Sequence, residues 1–289
     1  MNYKTTTQKI VFFFLTKIVI GILVVVGSVA LVENAGRSLL DKVQLTGELQ
    51  NAIIGITQSA IGLISYVLLF RVYEKRQIKE LRLATFWKNA CIGCLIGLMI
   101  QSLVILVIYM AGGYSITRVN SISFLFPGFI AAITAGFVAE ILLRGILFRL
   151  IEEKTGTIIA LIISALFFAI IHSAARGATL VSVLSTSIQA GILFSAVYVF
   201  TRSLWLPIFL HFAWDFAEPG IYGGINTGIS IEKTFFTSKI TGPELLTGGR
   251  FGPGNSIQSA IFCLIAALVF LWLAYKKNNF IKPYRRKSI

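Results

Sequence analysis

The sequence predicts an all-α membrane protein, a polytopic bundle of about eight transmembrane helices. Three observations carry this. The chain is 56% hydrophobic and only 13% charged, with a mean hydropathy of +0.83, whereas a soluble domain carries about 25% charged residues. Its apolar runs reach the ~20 residues that a helix needs to cross a bilayer. They are also unbroken, where a transmembrane β-barrel would show short alternating segments. At 289 residues the chain supplies these spans as one membrane-embedded domain, 1–289.

Spans are expected over residues 9–32, 52–72, 89–111, 123–150, 157–175, 179–200, 204–222 and 257–275. The first has an apolar run too long for a signal peptide and no small-residue cleavage site. Residues 33–50 are polar and amphipathic, which suits a short interfacial helix. Arg71, Lys75, Arg76, Lys79, Arg82 and Lys88 mark the connection between the second and third spans. Trp205 and Pro207 suit a span that starts at the membrane interface. Residues 223–256 are rich in glycine and hold two prolines, so they read as an irregular external loop, either a lid or a plain connector. No internal repeat is visible.

Orientation follows from the basic residues. With the N-terminus inside, 17 of the Lys and Arg fall in cytoplasmic segments. Seven fall outside: Arg37, Lys42, Arg118, Arg176, Lys233, Lys239 and Arg250. Lys17 and Arg144 lie within spans. This bias supports an even number of spans with both termini cytoplasmic. The net charge of +14 then reflects orientation and anionic headgroups. It does not point to nucleic acid, because the basic residues lie beside spans. Cys91, Cys94 and Cys263 fall in or near apolar runs. The CxxC formed by the first two lacks a second ligand pair, so small buried thiols are the simpler reading.

Three polar constellations interrupt the apolar runs, and charged groups at membrane depth cost roughly 2.5–3.5 kcal/mol each on insertion scales. Glu140 and Arg144 are four residues apart, so they share a helix face and can pair. Pairing alone also explains their survival in a bundle. Phe168 precedes His172 by one helical turn and can pack against its ring. His172 by itself also fits an ordinary interface histidine. His211 and Asp215 again share a face, where the carboxylate can orient the imidazole. The chain has two histidines and two aspartates; both histidines and one aspartate are in these groups. Together they suit water activation and oxyanion stabilisation. Two histidines and an aspartate also suit a metal, but no pair has metalloprotease spacing. That reading ranks second, and no cofactor is expected.

Glu140-x-x-x-Arg144, Phe168-x-x-x-His172 and His211-x-x-x-Asp215, in this order on successive spans, resemble the three motifs of the CPBP family. This family, also called Abi, comprises CAAX prenyl proteases and bacteriocin-processing or immunity proteins. The resemblance covers about residues 123–218, the motif-bearing core. It implies an eight-helix, glutamate-dependent intramembrane protease without a metal. It also implies that a first-motif glutamate and His172 activate water, and that His211 and Asp215 hold the oxyanion. Arg144 would position the carboxylate and Phe168 would support His172. The family motif begins with two adjacent glutamates, however, and the first position here is Ala139. A neighbouring helical residue points about 100° away, so Glu140 does not simply replace the missing group without a shift. The alternatives are an inactivating substitution, a natural loss in a non-catalytic member, or a rearranged site in which Glu140 is the catalytic base.

The resemblance implies a peptide or membrane-associated protein as substrate, within the lipid bilayer of what the compact chain suggests is a bacterial plasma membrane. A non-catalytic immunity or regulatory protein is the alternative. A small transporter is a third, disfavoured by the lack of repeats and of paired broken helices. Counting ~1.5 Å per residue places Glu140 and His211 in the inner half of the membrane and His172 deeper, a mismatch which means that the fifth span is misplaced, tilted or broken. Substrate is therefore expected to enter laterally or from the cytosolic side.

Overall fold

The structure, a computed structural model, describes residues 13–45, 47–174, 178–228 and 230–283. Residues 9–12 of the first expected span, Lys4, Lys9, Arg176 and the basic residues from Arg285 to Lys287 lie outside these.

Helices α1 (Phe14–Leu40) and α2 (Gly47–Tyr73) form an antiparallel hairpin. The interfacial helix expected over 33–50 does not exist as a separate element. Its polar residues stay inside the hairpin because they find partners there. Glu33 pairs with Arg37 one turn on, Arg37 Nη1 donates to Asn51 Oδ1 at 3.2 Å, and Gln58 Nε2 donates to Glu33 Oε2 at 3.0 Å. Helix α3 (Phe86–Met110) leads to strand β1 (Tyr114–Val119). Helix α4 (Leu125–Glu140) passes into a π-helical stretch, Ile141–Phe148, and on into α5 (Arg149–Thr155).

Gly156, at φ +87°, reverses the chain into α6 (Thr157–Ser173). Helix α7 (Leu180–Thr186) opens on a capping box from Thr179 and Ser182, which satisfies two orphan backbone donors. A second π-helical stretch, Ser187–Leu193, joins it to α8 (Phe194–Thr201). Helix α9 (Trp205–Asp215) runs into a third, Phe216–Ile221. Strand β2 (Phe236–Ile240) pairs antiparallel with β1. After the short α10 (Glu244–Thr247), Ser256 caps α11 (Ile257–Lys276) by accepting from the Ser259 amide.

Among the described residues, six helical stretches are long and apolar enough to cross a membrane: Phe14–Val43, Gly47–Tyr73, Leu83–Met110, Ile122–Thr155, Leu180–Thr201 and Ile257–Lys276. The described bundle is all-α apart from the two-stranded β1–β2 pairing. The spans expected over 157–175 and 204–222 correspond to shorter helices. Tertiary contacts set their ends: α6 starts at the Gly156 reversal, and α9 starts where the Leu204 amide donates to the Glu80 carbonyl at 2.9 Å.

Helix α9 sits at the centre. Leu206, Ile208, Leu210 and Trp214 are at most 1% exposed. Glycines let its neighbours approach. A Cβ on Gly97 of α3 would lie 2.7 Å from the Leu210 carbonyl oxygen, and one on Gly136 of α4 would lie 2.9 Å from that of Ile208. Gly93 and Gly97 form a G-x-x-x-G, the pattern that permits close helix packing in lipid.

The basic end of the bundle is held by ion pairs. Glu74 accepts from Lys17 Nζ at 3.0 Å, from Arg76 Nε at 2.9 Å and pairs with Arg149 Nη1 at 2.9 Å. Arg76 also reaches Glu80, which accepts from the Tyr66 hydroxyl as well. Arg202 Nη1 donates to Glu152 at 2.6 Å, beside Thr157.

Candidate functional site

Glu140 closes the last α-helical turn of α4 and the π-helical stretch begins at the next residue. Such π-turns recur at functional sites because they re-aim side chains. Glu140 and Arg144 are both 0% exposed. Arg144 Nη1 donates to Glu140 Oε1 at 3.0 Å, as the i, i+4 spacing predicts. The guanidinium is flanked by the rings of Phe168 and Phe194, 5.3 and 5.4 Å from their centroids, a cation–π arrangement suited to a dry site.

His211 links the first and third constellations. Its Nδ1 lies 2.8 Å from Glu140 Oε1, and its Nε2 lies 3.3 Å from Asp215 Oδ2. A carboxylate only accepts, so the arrangement complements a ring that donates through both nitrogens. Asp215 Oδ1 in turn accepts from Asn226 Nδ2 at 2.7 Å. The result is one connected chain: Arg144, Glu140, His211, Asp215, Asn226. Glu140 Oε2 and Arg144 Nε and Nη2 have no hydrogen-bond partner among the described residues. Buried polar groups in that state are costly, so the site is polar beyond its internal needs.

His172 is placed differently. Its ring stacks on Phe168, centroids 5.8 Å apart, and Phe168 reaches Arg144. The Phe168 carbonyl lies 3.0 Å from His172 Nδ1. A carbonyl only accepts, so Nδ1 carries a proton, and Nε2 has no hydrogen-bond partner among the described residues. No hydrogen bond joins His172 to Glu140, His211 or Asp215. The mismatch in depth between Glu140 and His172 does not come from a misplaced fifth span, since α6 starts at Thr157 as expected. Glu140 and His172 stand 16 residues before and after the Gly156 reversal, so the two antiparallel helices bring them to about the same height. Depth counting misjudged this because α4 and its continuation run on to Thr155, past the expected end at 150.

Asp215 lines a cavity of about 190 Å³ together with Gly128, Ala132, Ala135, Asn226 and Ile231. On α4, Gly128, Ala132 and Ala135 share a face at i, i+4 and i+7, and Ala139 follows on that face one turn further. Gly136, one turn before Glu140, packs on α9 instead. Ala139 is thus on the cavity side of α4, and Glu140 is on the side of α9. The cavity is bordered by the half-buried Thr227 and Ile231 of the 223–256 segment. This is the end opposite the basic ion pairs, so the expected entry from that basic end is not what the cavity offers.

Two functional-site neighbours escaped the sequence reading. Asn226 lies in the loop, where nothing marked it. Glu218 is 0% exposed, a second fully buried glutamate beside the site. Glu218 Oε1 accepts from the Gly254 amide at 2.6 Å and Oε2 from Gln101 Nε2 at 3.0 Å. It ties the loop to the π-turn after Asp215. Its signal was an acid three residues after Asp215, in an otherwise apolar stretch.

The described residues hold no cluster of three or more His, Cys, Asp and Glu disposed to ligate a metal. His211 is engaged through both nitrogens, and Cys91, Cys94 and Cys263 are free thiols.

No curated protein and no solved structure matches the chain. Residues 120–217, about a third of the chain and the stretch that holds Glu140, Arg144, His172, His211 and Asp215, match the family model described as Rce1-like, type II CAAX prenyl endopeptidase.

Proposed function

We propose that this chain is a CAAX-protease-like membrane endopeptidase scaffold, acting on a peptide or membrane-associated protein without a metal, with its catalytic carboxylate position occupied by Ala139. The observation that carries this reading is the connected chain from Arg144 through Glu140 and His211 to Asp215 beside a cavity onto which the Ala139 face of α4 looks.

In the complete site a carboxylate at 139 and the free Nε2 of His172 would take a proton from water. The hydroxide would attack the scissile carbonyl carbon, and the negative charge would collect on the carbonyl oxygen. The His211 ring, donating to Glu140 and Asp215, would stabilise that oxyanion through its positive charge. The water proton would then pass to the leaving amine as the C–N bond breaks. Glu140, held by Arg144 and His211, would set the charge and orientation of His211 and would not act as the base. Its side chain faces α9, away from the cavity-lining face.

As the sequence stands, proteolysis is expected to be weak or absent. Ala139→Glu should raise cleavage of peptides with prenylated or plain C-termini by purified protein. Equal cleavage by both forms would move the base to Glu140. Cleavage by neither would favour the second reading, a non-catalytic immunity or regulatory protein that binds a peptide. That reading draws on the alanine itself and on the engagement of Glu140 Oε1 with Arg144 and His211.

A further inference from the structure

The site is closed toward one end of the bundle and open toward the other. Beneath Glu140, Ile141, Ile146 and Phe148 are at most 1% exposed. The Tyr66 hydroxyl oxygen lies 3.1 Å from the Gly145 carbonyl oxygen, and the Arg149 guanidinium stacks on Phe70 at 4.6 Å. A layer of packed rings and branched side chains therefore separates the polar chain from the ion-paired end.

In the other direction, the Asp215 cavity shares Ala131, Ala135 and Ile231 with a larger one of about 680 Å³ between α1, α2 and α4. The larger cavity has an apolar floor, including Gly55, Ile130 and Val138, and a polar rim with Glu33, Asn51 and Gln58. Lys233 of the loop pairs with Glu48 at that rim. Apolar floor and polar edge suit an extended polypeptide, which brings apolar side chains and backbone polar groups together.

The closed end is the basic one. Arg71, Lys75, Arg76, Lys79 and Arg82 line a single groove there. The positive-inside rule puts such an end in the cytoplasm. Resting on the hydrolytic reading above, we propose that the site opens on the non-cytoplasmic face of the membrane. Its substrate is a polypeptide segment presented from that face, as exported or membrane-anchored chains are. A cytoplasmic C-terminal tail is not its substrate.

The test uses the full chain in sealed, right-side-out vesicles with a membrane-impermeant maleimide. The unsubstituted chain, with Cys91, Cys94 and Cys263, gives the background. Ile231→Cys should label in sealed vesicles, and Lys79→Cys only after permeabilisation; Thr227→Cys serves as a second reporter at the mouth. The reverse pattern overturns the proposal whether or not the protein cuts anything. In the same vesicles, the Ala139→Glu form should cut a peptide library supplied outside and spare one enclosed within. Cutting of the enclosed library alone overturns the proposal as well. Outside labelling with no cleavage on either side overturns the polypeptide-substrate half and the hydrolytic reading, while the open face stands.

Discussion

Glu140 carries more of the structure than its place in the proposed reaction would suggest. It is a fully buried carboxylate with two partners of opposite character, Arg144 at 3.0 Å and His211 at 2.8 Å. Removing one member of a buried pair leaves an uncompensated charge and typically costs about 3–5 kcal/mol. Glu140→Gln should therefore lower the thermal midpoint of the detergent-solubilised protein markedly, whereas Glu140→Gln combined with Arg144→Met should recover most of the loss. A single variant as stable as the parent would show that Arg144 is solvated and the pair is not dry. The i, i+4 spacings made the Glu140–Arg144 and His211–Asp215 pairs legible in the sequence. The Glu140–His211 contact was not legible, because it joins residues 71 apart on different helices. Asn226 was also out of reach, since a loop asparagine acquires meaning only when tertiary folding carries it to Asp215.

At the scale of elements, hydropathy located the helices but not their ends. The spans over 52–72 and 257–275 agree closely with α2 and α11, because both are bounded by polar connections. Helix α9 and its π-helical continuation to Ile221 fill the span expected over 204–222, but the change from α to π at Phe216 lies within one apolar run, so no change in hydropathy marks it. The β1–β2 pairing was missed for a related reason: two short strands in separate segments pair only after the helices have placed them. What fixes α9 is the close approach of its neighbours. Gly97→Val would press branched carbon onto the Leu210 carbonyl oxygen, 2.7 Å from where a Cβ already falls. Overpacking of this kind costs about 1–3 kcal/mol. It should shift α9 and with it His211 and Asp215. Cleavage by the Ala139→Glu form is expected to fall steeply in the Gly97→Val background. A similar change at Gly27 or Gly47, where nothing lies within 4 Å of a Cβ, should leave it nearly unchanged. Equal losses at all three positions would mean that glycine flexibility matters, and not proximity to α9.

The whole molecule is held at its basic end by charges that link α1, α2, α5 and the connection to α3, and this gives its stability a pH dependence. Burial opposes ionisation of Glu74, but Arg149, Lys17 and Arg76 outweigh it and hold the carboxyl below the usual range. Glu80 is held down likewise: burial opposes, and the hydrogen bond and charge of Arg76 with the Tyr66 hydroxyl prevail. A carboxyl whose folded value lies below its unfolded value of about 4.3 contributes stability that is fully present above the unfolded value. That contribution is lost as pH falls through the folded one. The thermal midpoint should thus be nearly level with pH above about 5 and decline below it, and Glu74→Gln should start lower and decline less. A midpoint that instead rises on acidification would mean that Glu74 and Glu80 are dominated by burial. The clamp at this end would then not be ionic. The same clamp closes the base of the bundle beneath Glu140, so its loss should also admit water to Arg144 from the basic side. Hydrogen exchange of the amides across Ile141–Phe148 should quicken in Glu74→Gln below pH 5 ahead of global unfolding. Exchange that quickens only with global unfolding would show that the packed layer of Ile141, Ile146 and Phe148 seals the site without help from the ion pairs.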